Sequence, residues 1–171
     1  MQKLKILPSI ITALTALTLT SCSTTTAEQY EATALTSYTW QVKYANNLTS
    51  QPQPRIETFA NTSMLNRNGF KPPGAVVGPD ERGLWWPTLP PRPGVDEVEQ
   101  SKRPQEEAGK PELVKNVKYK LTYKVGNSQQ TLPTNYDVYR QVAKAYPQKT
   151  PLQLTLGVND NSVEKAEPVS K

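Results

Sequence analysis

Eleven of the chain's 16 prolines fall between residues 51 and 111. Proline lacks the N–H that a helix or a sheet ladder needs, so regular structure is not expected to run far in this stretch. The pieces Lys71-Pro72-Pro73-Gly74, Val77-Gly78-Pro79-Asp80 and Leu84-Trp85-Trp86-Pro87-Thr88-Leu89-Pro90-Pro91-Arg92-Pro93-Gly94 read as extended, partly polyproline chain. Within the insertion, only residues 55–65 have the composition for a short strand or a turn of helix. Residues 96–110 read as a mobile, charged loop.

Outside the insertion the signal is alternation. Tyr38, Trp40, Val42 and Tyr44 alternate with Thr39, Gln41 and Lys43, which predicts a strand with one buried face. Val117, Tyr119, Leu121, Tyr123 and Val125 repeat the pattern with lysine at three of the four intervening positions. Gly126-Asn127 suits a two-residue hairpin turn, with residues 128–132 as the returning strand. After Pro133, Thr134 with Asp137 three positions on reads as a capping box. Tyr136, Tyr139, Val142, Ala143 and Tyr146 then make one helical stripe that Pro147 ends. Residues 152–158 are a last alternating strand, and the polar tail 159–171 is expected to add nothing to the core. These elements predict an α+β fold, a small mainly antiparallel sheet with one helix packed on it. A single domain is expected over residues 36–158.

The N-terminus has a separate layout. Lys3 and Lys5 precede an uncharged run, residues 6–20, and then Ser21 and Cys22. This is the order of a secretory signal, and the run falls short of the roughly 20 residues of a bilayer span. Leu19-Thr20-Ser21-Cys22 resembles the lipobox of bacterial lipoproteins, a branched apolar residue and two small ones before the lipidated cysteine. The resemblance covers the first 22 residues. It implies removal of residues 1–21, a diacylglycerol group on the Cys22 thiol, and a domain held on the non-cytoplasmic side of an envelope membrane. Residues 22–35, rich in Thr, Ser and Ala, read as the lipidated cysteine and a disordered tether. Such a layout is similar to that of lipoproteins of Gram-negative-type envelopes, cyanobacteria included. Cys22 is the one cysteine in the sequence, so no intramolecular disulfide can form.

Loss of the leader would leave 18 basic against 15 acidic residues, a mild bias that does not suggest a nucleic-acid partner. The sequence contains no histidine, which excludes His-based triads and imidazole bases, and a spent cysteine removes Cys nucleophiles and Cys/His zinc sites. No metal or cofactor is expected beyond the covalent lipid. Carboxylates cluster at Asp80-Glu81 and at Asp96, Glu97, Glu99, Glu106 and Glu107, in segments read as too mobile for catalysis.

Two surfaces remain as candidates for binding. Lys43, Lys118, Lys120 and Lys124 project opposite the apolar rows, where they either keep the sheet soluble or form a basic patch. Trp85, Trp86, Leu89, Pro90, Pro91 and Arg92 are the candidate partner contact, because adjacent tryptophans cannot both point inward from an extended chain. The same segment also reads as a strap across the domain with the tryptophans closing the core. The expected function is a membrane-anchored, non-catalytic binding or accessory protein of the envelope, meeting an envelope or membrane protein. A polysaccharide or anionic-ligand binding module is the alternative, and an enzyme the third reading.

Overall fold

The structure, a computed structural model, describes residues 23–47, 53–74 and 77–169. The leader 1–21 and Cys22 lie outside the described residues. The elements in chain order are β1 (Thr24–Ala27), β2 (Tyr30–Ala45), β3 (Arg55–Arg67), α1 (Val95–Gln100), β4 (Glu107–Ala108), β5 (Glu112–Val125), β6 (Ser128–Thr134), α2 (Tyr136–Ala145), β7 (Leu152–Leu156) and β8 (Val163–Pro168). Single 3-10 turns follow α2 and β7. The result is a mixed sheet of eight strands with one main helix, an α+β arrangement.

The alternation of β2 sets the sheet's two faces. Its even-numbered residues from Tyr30 to Tyr38, and again Val42 and Tyr44, are buried, while Leu35 and Lys43 face solvent. β2 pairs antiparallel with β3 on one side and with β5 on the other. β5 turns through Gly126, at φ 57°, into β6. The full order is β1-β7-β8-β6-β5-β2-β3, with β6 and β8 parallel and β4 added against β2. β1 and β2 stand near opposite ends of this order, yet only two residues separate them. The sheet therefore curls back on itself, and the Lys124 amide closes the gap by donating to the Gln29 carbonyl at 3.0 Å.

Helix α2 fills the curl. Val138, Tyr139, Val142 and Ala145 point into a core shared with Leu121 and Tyr123 of β5, Leu152, Leu154 and Leu156 of β7, and Ala27, Ala32 and Ala34. A smaller cluster, Val42, Tyr44 and Val98 with Phe59 and Ala108, lies under α1 at the far end of β2.

Several sequence expectations are corrected here. Residues 24–35 are not a disordered tether but β1 and the first third of β2. Apart from Tyr30, the core positions here are alanine, Ala27, Ala32 and Ala34, and small buried residues give a stretch the composition of a linker. The polar tail supplies β8, whose Val163 and Ala166 face the core. Residues 55–67 form a 13-residue strand whose inner face mixes polar residues, Arg55, Glu57, Thr62 and Asn66, with Phe59 and Met64, which hid its length. The charged loop contains α1, with Arg55 ion-paired to Glu57 and to Glu106, the latter at 2.6 Å. The α2 cap is Asn135, whose side chain accepts from the Val138 amide at 3.0 Å; Thr134 instead ends β6 and donates to the Val163 carbonyl. The helix accordingly buries Val138 and Ala145, leaving Tyr146 exposed and Tyr136 and Ala143 half-buried.

Candidate functional site

Residues 84–94 form neither helix nor strand, and Leu84, Pro87, Pro90 and Pro93 are buried at a spacing of three. A burial period of three suits extended, proline-rich chain with one edge against the sheet, and Trp86 is buried as well. Several of its backbone polar groups are taken by side chains of β2 and β3. Asn66, fully buried, accepts from the Trp85 amide at 2.8 Å and donates to the Trp85 carbonyl at 3.0 Å. Thr36 donates to the same carbonyl at 2.8 Å, Thr62 to Thr88 at 2.7 Å, and the Trp40 indole to Pro90 at 3.0 Å.

This accounts for most of the segment nominated as a partner contact. Trp86 is buried, its ring 5.0 Å from that of Tyr38, and its indole donates to Asp80 at 2.8 Å. Trp85 is half-buried with the Lys71 ammonium 4.9 Å above its ring. Pro90 is buried, whereas Leu89, Pro91 and Arg92 remain exposed, Arg92 lying 5.7 Å over the Trp40 ring. Tyr38 and Trp86 are thus inside, and Trp40 and Trp85 partly covered.

The nominated lysines do not meet as one group. Lys118 and Lys120 sit beside Leu35 and Thr33 on the outer face, and Lys124 lies farther along β5. Lys43 is ten residues from Thr33 along β2, about 33 Å at the rise of a strand, and pairs with Glu112 at 2.9 Å.

The carboxylates serve structure. Asp80 accepts from the amides of Arg82 and Leu84, both at 2.9 Å, as well as from the Trp86 indole, and so shapes the turn before the strap. Glu97 accepts from the Gly94 amide at 2.8 Å in the cap of α1. Hydrogen bonds from Arg55 hold the Glu106 carboxyl down at about 2, against burial, which raises it. Among the described residues no cluster of three acidic, histidine or cysteine side chains is placed to hold a metal.

A different place combines concavity with charge. The turn after β3, the turn shaped by Asp80 and the outer flank of α2 enclose a cleft of about 300 Å³, lined by Gly69, Phe70, Arg82, Tyr139, Arg140 and Lys144 among others. Arg140 and Lys144 are four residues apart and share one flank of the helix. Arg82 is held by its own turn and lies 5.4 Å over the Tyr136 ring. No acidic side chain is among the described residues lining the cleft, and none of the three cations has an ion-pair partner among the described residues.

Tyr139 forms the floor. It is 2 % exposed, and its hydroxyl accepts from the Gly69 amide at 3.2 Å. Burial pushes this phenol up, so it stays protonated as a donor at neutral pH. Tyr119 behind it is also raised by burial; Arg82 opposes the shift without making a well-aligned hydrogen bond to the buried hydroxyl. Phe70, 54 % exposed, forms one wall and meets Tyr146 edge to face at 6.0 Å.

Sequence reasoning missed this site because its lining comes from three separate segments, the turn after β3, the Asp80 turn and α2. The spacing of Arg140 and Lys144 on a recognised helix was the available signal. No family model matches the sequence, and no curated protein and no solved structure matches it significantly.

Proposed function

We propose that this chain is a lipid-anchored, non-catalytic binding module of a bacterial envelope, attached through Cys22 and presenting the α2 cleft to a ligand on the non-cytoplasmic side. The cleft carries the reading: it is a concave surface with aromatic walls whose cations lack ion-pair partners among the described residues. The lipobox-like Leu19-Thr20-Ser21-Cys22 supports export and anchoring. The lack of any histidine and the use of Asp80, Glu97 and Glu106 as structural acceptors favour binding over catalysis. The exposed flank of the strap, Leu89, Pro91 and Arg92, supports a second reading in which another envelope protein is the partner.

The test is recovery of bound components from the protein's own membranes in a neutral detergent. The wild type is compared with Arg140→Gln/Lys144→Gln and with Leu89→Ser/Arg92→Gln, which spare the buried side of the strap. A component retained by the wild type and lost with the first pair supports the cleft; loss with the second moves the site to the strap. A wild type that retains nothing removes the binding role for stable complexes.

A further inference from the structure

We infer that the α2 cleft binds a phosphate monoester, with the phosphoryl group on Arg82, Arg140 and Lys144 and the organic part against Phe70 and Ala143. This deepens the reading of the chain as a binding module and rests on it.

Three cations line one small cavity with no acidic side chain among the described residues lining it, so an anion entering meets no lining carboxylate in competition. A phosphate monoester carries about −1.5 to −2 charge at neutral pH and three acceptor oxygens, against one charge and two oxygens for a carboxylate. Two guanidinium groups and an ammonium match the larger charge and the larger number of acceptors.

The site is also preorganised. Asp80 fixes the turn bearing Arg82 by accepting the Arg82 and Leu84 amides, and the guanidinium lies over the Tyr136 face. Arg140 and Lys144 stand on a capped helix whose other side is locked in the core. The Tyr139 hydroxyl already accepts from Gly69, which leaves its own proton for a ligand oxygen. Gly69 itself is constrained: its φ is +78°, and a Cβ there would stand 3.0 Å from the Ala143 side chain. The exposed Phe70 ring and Ala143 supply the apolar wall that a bare anion would not use.

The experiment is an NMR titration of the full-length, lipidated protein in a neutral detergent, following the Gly69 and Gly83 amides. The probes are glycerol 1-phosphate and inorganic phosphate, with acetate and glycerol as controls. Saturable shifts at both amides are expected with either phosphate probe, stronger with the ester, and at least about tenfold weaker in Arg140→Gln/Lys144→Gln, as loss of charge-assisted bonds implies. Both substitutions are at exposed positions, and an unchanged melting temperature shows that the variant is folded.

Competition then identifies the source. Displacement of the probe by vesicles containing phosphatidic acid, and not by phosphatidylcholine alone, assigns a lipid head group; no displacement by either assigns a soluble monoester. Acetate binding as tightly as phosphate, shifts that survive the double substitution, or no saturable shift would each overturn the inference. None of these outcomes depends on what the protein retains from its membranes, so the broader binding role is judged separately.

Discussion

Asn66 is a polar side chain with no access to solvent, and its burial is stable because a carboxamide matches the backbone donor and acceptor of one residue: it accepts the Trp85 N–H and donates to the Trp85 C=O. Asn66→Ala leaves that buried N–H without an acceptor, and the expected loss is about 2–3 kcal/mol. Chemical denaturation measures it; a change below about 0.5 kcal/mol, the size of an ordinary surface substitution, would show that the strap is held by other means. Glu106 carries a pH dependence. Its carboxyl is held at about 2, below the ordinary 4.5, first by the hydrogen bonds from Arg55. A depressed acid stabilises the folded state above its unfolded value, so this contribution is present above about pH 4.5 and is lost as pH falls toward 2. Melting curves across that window should show a smaller acid destabilisation for Glu106→Gln than for the wild type. A side chain's chemistry was legible in the sequence where it stood alone, as with the missing histidine. Partnership was not: nothing near Asn66 in sequence announces that Trp85, 19 positions on, needs it.

At the scale of elements, the legible ones were those with large apolar residues on the buried face. β5, α2 and β7 buried Leu121, Tyr139 and Leu154 and were readable from periodicity. β1 and β8 bury Ala27 and Ala166 and so looked like tether and tail, while β3, which buries Asn66, read only as a short strand or a turn of helix. The strap shows a related limit. Trp86 lies inside and Trp85 is half-buried under Lys71, so the strap's own surroundings cover part of both rings. Deletion of residues 84–93 should therefore uncover the core, since Leu84, Trp86, Pro87, Pro90 and Pro93 are all buried. The expected result is loss of near-ultraviolet dichroism and of cooperative unfolding; a deletion variant that melts like the wild type would show the strap to be an accessory. Trp40→Phe, which removes only the bond to Pro90, should cost about 1 kcal/mol in the same assay.

For the whole molecule, the consequential correction concerns the spacer. The Ser23 carbonyl accepts from the Leu156 amide at 2.8 Å, and its hydroxyl bonds to Asp160, so the residue next to Cys22 is already tied into the fold. A lipid on that cysteine would hold the curled sheet against the bilayer rather than on a flexible stalk. Amides in the first part of β2, paired to β5 from Tyr30 onward, should then resist hydrogen exchange as strongly as those of β5 itself. Exchange within seconds there would restore the tether. The cleft was the least legible feature, because Phe70, Arg82 and Arg140 come together only once the sheet has curled around α2. The anchor remains the premise of the functional account, and the intact mass of the protein extracted from its own membranes tests it most directly. The expected mass is that of residues 22–171 with a diacylglycerol group on Cys22, an addition absent from Cys22→Ser. A protein that retains residues 1–21, or one that carries Cys22 as a free thiol, would contradict it.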